Sequence, residues 1–357
     1  MTSDRRQARL VTYGDVSTAL AMLGDHQLGR FVDTARAVGS GIGGSTALLD
    51  IAGAPVFVKR IPLTDVERLP RHVMSTANVF GLPTFCQYGV VEYGVAGFGA
   101  WRELAANTMT TNWVLAGHGE SFPLMYHWRM LPGAAPPAEE HADIDRVVAY
   151  WDGSAAVRRR LDALARASAS VVLFLEYVPQ NLAAWLTGQL AAGPDAVTAA
   201  CAMVHRCLRA DIAFMNANGL LHFDAHFRNI LTDGHRLYFA DLGLATSPRF
   251  DLSAAERDFL DLNASHDAGY AARELHNWIV ANVVRTAAPD TGVPAPVTEL
   301  ISRYAPVAAV MNDFYRNVYG VSRATPYPAQ EITQAMAGRW PSLPPSSSST
   351  SDVTRRG

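Results

Sequence analysis

The 357-residue sequence predicts an α+β fold in which a strand-rich first half precedes a mostly helical second half. Short apolar segments separated by turn residues occupy residues 36–61, and strands joined by short turns pair antiparallel. After Pro179 the apolar residues recur every three or four positions, which is the period of a helix that buries one face. We therefore expect a small antiparallel sheet followed by helices.

Composition excludes several classes of protein. Hydrophobic residues make up 49% of the chain and charged residues 18%, so a large core is possible and global disorder is excluded. The net charge of −3 gives no general attraction for nucleic acid. An apolar signal core and any apolar run of about 18 residues are missing, so we expect a cytoplasmic protein with no membrane partner. Cys86, Cys201 and Cys207 lack metal-ligand spacing and should be reduced.

The N-terminal extension, residues 1–35, changes character along its length. Residues 1–12 are polar, and we expect them to be loosely held. Apolar residues at helical spacing between Val16 and Phe31 then predict a short helix or two.

A glycine-rich turn follows between two predicted strands. Gly39, Gly41 and Gly44 form the pattern G-x-G-x-x-G, and a second turn leads into the strand 56–61, which carries Lys59. Because a strand rather than a helix follows the glycines, the pattern argues against a dinucleotide-binding fold. Glycine turns and exposed strand lysines are both common, so this pattern is weak when taken alone.

Two insertions interrupt the predicted sheet. Residues 62–98 are irregular and rich in aromatic side chains, and the helix that begins at Ala100 carries Glu103. Residues 122–131 form the next strand, and residues 132–168 contain a charged helical insertion. The sequence assigns no role to either insertion.

An apolar strand over residues 171–178 ends the strand-rich half. The period of the apolar residues then predicts a succession of helices, over residues 181–190, 195–217, after the capping box Ser253–Glu256, 267–284 and 296–319. The serine-rich segment 341–357 should be a disordered tail.

A polar motif lies between the helices. It reads His222-x-Asp224-x-His226-x-x-Asn229, and after a turn at Asp233-Gly234 a second loop carries Asp241-x-Gly243. The turn joins two short strands, so a hairpin would bring the three acidic and amide side chains to one end of a small sheet. Phosphoryl transfer uses such a cluster, with one carboxylate to accept a proton and two oxygen ligands for magnesium.

This two-part motif resembles the catalytic and metal-binding loops of the protein-kinase-like superfamily, which includes protein kinases and the aminoglycoside and choline phosphotransferases. The resemblance implies a bilobal fold. Its N-lobe, a small antiparallel β-sheet, would cover residues 36–178 with both insertions and the hinge, and its mostly helical C-lobe would cover residues 179–340. It also implies that the protein is a kinase that uses ATP and magnesium.

The resemblance assigns the catalytic roles. Asp224 would take the proton of the acceptor hydroxyl, and Asn229 and Asp241 would bind magnesium. Lys59 would fix the α- and β-phosphates and would be held in place by a glutamate. Glu103 is preferred over Glu67 for that glutamate because its helix is better formed.

The resemblance also assigns the nucleotide contacts, to the glycine turn and to backbone groups of the hinge (Gly39, Gly41, Gly44, Glu176, Tyr177 and Val178). Phe57 departs from the pattern, because protein kinases usually have alanine at that position beneath the adenine. A phenylalanine would crowd the adenine or stack on it. Together with the insertions, Phe57 leaves open a pseudokinase that binds nucleotide and acts through partners, whereas the retained Asp224 favours an enzyme.

Two acceptor classes stay open. The compact spacing of the motif favours a protein kinase acting on Ser or Thr. His226 and the missing Ala-Pro-Glu platform favour a small hydroxylated molecule such as an antibiotic or metabolite, and Phe223 argues against control by a phosphorylated activation loop. The acidic residues near the capping box (Asp251, Glu256, Asp258, Asp261 and Asp267) are either a solvated surface or an acidic wall for a cationic acceptor. Asp267 could separately brace the catalytic loop.

Overall fold

A computed structural model of the chain describes residues 2–89, 93–94, 97–285 and 292–340. The predicted disordered tail, residues 341–357, lies outside the described residues. Within them the α+β class predicted from the sequence is confirmed, because an antiparallel sheet occupies the first half and helices dominate the second.

The larger sheet contains five antiparallel strands in the order β1-β2-β3-β5-β4. Their bounds are β1 Arg36–Gly41, β2 Gly44–Ile51, β3 Ala54–Leu63, β4 Met125–Pro132 and β5 Ala169–Glu176. The turn between β1 and β2 requires glycine at position 44, whose φ is +121° and where a Cβ would lie 2.1 Å from the carbonyl oxygen of Arg60. The glycine turn therefore sits directly against β3.

Two helices cover one face of this sheet, α1 (Thr2–Ala21) and α2 (Asp25–Asp33). Val16, Leu20 and Leu28 of these helices are fully buried and pack in the same core as the sheet. The extension is thus part of the folded body of the protein.

The expectation that residues 1–12 are loosely held is wrong, because α1 begins at Thr2. Arg9 of this helix forms two hydrogen bonds with the carboxylate of Glu176, at 2.8 and 2.7 Å, and also donates to the carbonyl oxygens of Glu120 and Phe122. The polar residues that suggested a loose segment include arginines with carboxylate partners elsewhere in the chain. A bidentate guanidinium–carboxylate pair of this kind holds the helix in place.

The opposite face of the sheet packs against α3 (Ala100–Ala116). Trp101 and Leu104 of this helix are buried with Ile61 of β3 and Leu173 of β5. The first turn of α3 therefore lies next to the part of β3 that comes just before Ile61.

The two predicted insertions pack on each other. The 132–168 insertion contains α4 (Ile144–Tyr150) and α5 (Ala155–Ala165), and the 62–98 insertion contributes a 3₁₀ turn at Thr84–Gln87. A separate apolar cluster joins them, in which the rings of Phe85 and Trp151 stack at 6.0 Å.

The second half of the chain is mostly helical. Its elements are α6 Leu182–Ala192, α7 Pro194–Ala217, α8 Ala254–Leu262, α9 His266–Ile279 with a π-helical turn at Val280–Val284, α10 Ala295–Gly320 and α11 Ala329–Met336. A three-stranded sheet, β6 Gln180–Asn181, β7 Ile230–Thr232 and β8 Leu237–Phe239, carries the predicted polar hairpin. None of the helices in the described part of the chain combines the length and apolar composition that crossing a bilayer requires.

Candidate functional site

A cavity of about 880 Å³ lies where the five-stranded sheet meets the helices. Its lining includes the glycine turn and most of the predicted catalytic residues: Gly39, Gly41, Gly44, Lys59, Glu103, Asp224, Asn229 and Asp241. These residues come from distant parts of the chain, so the fold concentrates the predicted chemistry in one place.

Lys59 lies at the centre of this group. The β3 register places it opposite Thr46 of β2 and Leu173 of β5, and it is only 5% exposed. Its Nζ lies 2.6 Å from Glu103 Oε1 and 2.7 Å from Asp241 Oδ1. Burial alone would lower the pKa of Lys59, but these two carboxylates outweigh burial and raise it, so the amine stays protonated.

Lys59 is also the only lysine in the chain, among 30 lysine and arginine residues in total. A chain that otherwise uses arginine for positive charge has placed its one lysine in a buried site with two carboxylates. A compact ammonium suits such a site better than the larger planar guanidinium. The sequence alone therefore could have singled out Lys59 as its one lysine, independently of any motif.

Two glutamates were candidates for pairing with Lys59, and the structure separates them. Glu103 lies in the first turn of α3 and contacts the lysine. Glu67 instead pairs with Arg160 at 2.8 Å and accepts hydrogen bonds from Thr64 and from the amide of Ala100. Glu67 is therefore a structural residue that ties the two insertions to the start of α3.

Asp224 lies in the loop before β7. The Asn229 side-chain amide donates to Asp224 Oδ2 at 2.9 Å and to the Asp224 carbonyl at 3.0 Å. Burial raises the pKa of Asp224 to about 8, and repulsion from Asp241 adds to the increase, while the hydrogen bond from Asn229 opposes it. Two carboxylates thus face the cavity within electrostatic reach of each other.

Asp241 lies two residues after the end of β8 and has a left-handed backbone conformation, with φ of 57°. Burial alone would raise its pKa, but Lys59 outweighs burial and holds the pKa of Asp241 below its usual range. The side chain is consequently an anion that points at the buried lysine.

The loop that carries Asp224 is braced from below. Asp267 of α9 accepts the backbone N–H groups of His222 at 2.8 Å and Phe223 at 2.9 Å. His222 Nε2 donates to the carbonyl of Ala240 at 2.9 Å, and Nδ1 of the same ring accepts the amide of Asp224. His222 and Asp267 hold the two loops in register, and for Asp267 this is the bracing expected from the sequence.

Other predicted site residues lie apart from the cavity. Glu176, Tyr177 and Val178 are not among its lining residues, and the Glu176 side chain is bound to Arg9 of α1. Phe57 lies opposite Leu175 in β5 and likewise does not line the cavity. The predicted hinge therefore contributes no lining residue to the cavity.

The residues from which the sequence analysis argued about the class of acceptor have partners within the protein. His226 Nδ1 accepts the backbone N–H groups of Arg228 and Asn229, each at 3.2 Å. Phe223 is fully buried with its ring against that of His266 at 4.7 Å. Within the acidic group, Glu256 pairs with Arg102 at 2.7 Å and Asp267 is buried, so two of its five members are not available to an acceptor.

Sequence reasoning missed several parts of the cavity wall, two of which lie near Asp224. One is the segment 84–89, whose Tyr88 and Gly89 line the cavity beside Asp224. The other is a face of α9 together with one residue of α10, which comprises Tyr270, Arg273, Glu274, Asn277, Trp278 and Tyr319. The α9 residues recur at helical spacing, and this polar and aromatic stripe could have been found in the sequence.

A scan against models of known protein families gave no match for this chain. A search of curated proteins gave no match either.

Proposed function

We propose that the protein is a kinase of the bilobal protein-kinase-like type, which transfers the γ-phosphate of Mg-ATP to an acceptor hydroxyl. The observation that carries the proposal is the convergence of Lys59, Glu103, Asp224, Asn229 and Asp241 around one cavity beneath a glycine turn. A purely structural ion pair would not require a glycine turn or a second buried carboxylate beside it.

The residues present suit a triphosphate. A Cβ at Gly43 would lie 3.3 Å from Lys59 Nζ, so the absence of a side chain at position 43 leaves space for a phosphate beside the ammonium. The backbone amides of such a turn and the ammonium of Lys59 would bind phosphate oxygens. Glu103 would hold the ammonium in place when a phosphate displaces Asp241 from it.

The residues also suit a divalent cation. Asp224 and Asp241 repel each other, and Lys59 is the one cation that contacts Asp241 among the described residues. Magnesium would therefore take Asn229 and Asp241 as protein ligands together with phosphate oxygens, and when bound it would neutralise phosphate charge.

In this proposal Asp224 orients the acceptor hydroxyl and, in its ionised form, accepts the proton; a cation bound at Asp241 would offset the repulsion that adds to the raised pKa of Asp224. The Asn229 amide fixes the Asp224 carboxylate by donating to Oδ2. Asp267 and His222 keep the Asp224 loop in position, so the chain contributes mainly positioning and electrostatic stabilisation.

The single lysine allows a direct test of the nucleotide site. An adenosine analogue that carries an amine-reactive sulfonyl fluoride should modify Lys59 and no other side-chain amine, and Mg-ATP should protect it. Peptide mapping separates this product from modification of the α-amine. Modification of Lys59 that Mg-ATP does not reduce would refute the nucleotide site.

Transfer is tested separately with γ-labelled ATP. Asp224→Asn should keep ATP protection of Lys59 and lose phosphoryl transfer by about 10²–10⁴-fold, since it removes the proton acceptor. Asp258→Asn, at an exposed position of α8, is the matched control and should be fully active. ATP protection without any transfer or hydrolysis would instead identify a nucleotide-binding protein that acts through partners.

A further inference from the structure

The segment 84–89, within the 62–98 insertion, packs against the helical half of the protein. Its Tyr88 is 3% exposed and donates a hydrogen bond to Asn263 Oδ1 at 2.8 Å. The Tyr88 ring packs against four aromatic rings at centroid distances of 5.2–6.2 Å, those of Phe223 in the loop before β7, Phe259 of α8, His266 of α9 and Phe314 of α10. A tyrosine this well packed fixes the segment in one position.

The residue before Tyr88 adds a second anchor. Gln87 is 4% exposed, and its side-chain amide donates to the carbonyl of Leu244, just after the Asp241 loop. The segment is thus tied both to the core of the helical half and to the loop that carries Asp241.

These anchors hold Gly89 against the candidate catalytic carboxylate. A Cβ at Gly89 would lie 2.3 Å from Asp224 Oδ1 and 3.0 Å from its Cγ. The Gly89 carbonyl also accepts a hydrogen bond from Tyr319 at 3.4 Å. Main chain of the protein itself therefore occupies one side of Asp224, and only glycine fits there.

A protein substrate would have to lay several residues of extended main chain across Asp224 to present a serine or threonine hydroxyl. The main chain at Gly89, anchored by the buried Tyr88, already lies against Asp224 Oδ1 on one side. The cavity remains bounded by Glu274 and Trp278 of α9 and by Tyr319 of α10, and its volume of about 880 Å³ is within the range of small-molecule sites.

We infer that the segment 84–89 restricts the acceptor to a small hydroxylated molecule, which reaches Asp224 along the wall formed by Glu274, Trp278 and Tyr319. This inference rests on the proposed phosphotransferase function. One Glu274 oxygen bonds Arg273 at 3.0 Å, and the carboxylate retains capacity to accept hydroxyl or amino donors of the acceptor. The aromatic rings of Trp278 and Tyr319 supply apolar contact for the carbon skeleton.

The first test offers γ-labelled ATP and magnesium with two sets of acceptors. One set contains sugars, amino sugars, polyols and amino alcohols, and the other contains casein and a serine/threonine peptide library. We expect label on a member of the first set and none on the second. Label on casein or on the peptides would overturn the inference while leaving the proposed function intact.

Two control readouts distinguish the ways in which the test can fail. ATP hydrolysis without label on any small compound would overturn the acceptor assignment alone, since the phosphotransfer groups would be working. Absence of ATP protection at Lys59, or of both hydrolysis and transfer, would refute the proposed function and the acceptor assignment together.

The second test uses Gly89→Ala. The added methyl group collides with Asp224 Oδ1, so transfer to the best small acceptor should fall about 10–100-fold, as expected when a reacting group is misplaced by about 1 Å. ATP protection of Lys59 should be unchanged, which also reports correct folding. Gly188→Ala is the matched control, because a Cβ there meets nothing within 4 Å. Gly89→Ala activity equal to wild type would show that the segment does not cover Asp224.

Discussion

Replacement of Asp267 by asparagine should lower the free energy of unfolding, because it disturbs the turn at His222 and Phe223 that this carboxylate supports. The Asp267 carboxylate is 1% exposed and accepts the amides of His222 and Phe223, one with each oxygen. Phe223 has a φ of 62°, a left-handed conformation that few residues other than glycine adopt without cost. The carboxylate therefore stabilises a strained turn directly before Asp224.

The magnitude follows from the two hydrogen bonds. Asparagine keeps one carbonyl oxygen and places an NH₂ group opposite the other backbone N–H. One hydrogen bond to a charged group is lost and one buried donor is left without a partner, which together cost about 3–5 kcal/mol. We expect the free energy of unfolding to fall by about that amount and phosphoryl transfer to fall with the displaced Asp224.

Urea denaturation of wild type, Asp267→Asn and the exposed control Asp258→Asn measures the effect. Burial would raise the pKa of Asp267, but the neighbouring His266 ring and the hydrogen bond from the backbone N–H of His222 hold the pKa below its usual range. The stabilisation is therefore present above the unfolded-state pKa of about 3.9 and is lost as the pH falls through the folded-state pKa. The deficit of Asp267→Asn should shrink on acidification below pH ~4. A loss under about 1 kcal/mol at pH 7 would refute this bracing role, since it is smaller than one charge-assisted hydrogen bond.

Three further predictions concern other parts of the molecule. Glu103→Gln should raise the Mg-ATP concentration that half-protects the lysine by about tenfold, because the neutral amide no longer holds the ammonium; an unchanged concentration would contradict the pairing role. Arg9→Gln should lower the free energy of unfolding in urea by about 2–3 kcal/mol through loss of its Glu176 pair, whereas Arg158→Gln, in an exposed pair, should change it by less than about 1 kcal/mol. Burial raises the pKa of Asp211 to about 6, so its ionisation lowers the stability of the fold progressively as the pH rises from the unfolded-state pKa of about 3.9 to about 6. Asp211→Asn should raise the melting temperature at pH 7 but not at pH 4, and a gain equal at both pH values would show that the charge is not the cause.

The element types could be predicted largely from local sequence. The helix predicted over 195–217 is α7, and the capping box Ser253–Glu256 begins α8 as expected. Periodicity and capping succeed because they depend on residues a few positions apart. The same reasoning failed for α1, where the partners of the arginines are more than 100 residues away.

The candidate site could be predicted where a motif encodes it. The spacing from Asp224 to Asn229 and Asp241 corresponds to one loop, one hairpin and a second loop, so these residues meet through short-range structure. The preference for Glu103 over Glu67 rested on the quality of a helix, and α3 places Glu103 at the lysine. The hinge expectation rested on resemblance alone, and its residues do not line the cavity.

By itself the sequence determined the α+β class, the helices with strong periodicity and the local polar motif that includes Asp224 and Asn229. Only the tertiary structure decided which residues surround that motif. The contact between Gly89 and Asp224 and the burial of Tyr88 among distant rings join segments more than 130 residues apart. Such contacts form because distant segments of the chain bury apolar surface against each other. A local sequence pattern does not indicate which segments will meet.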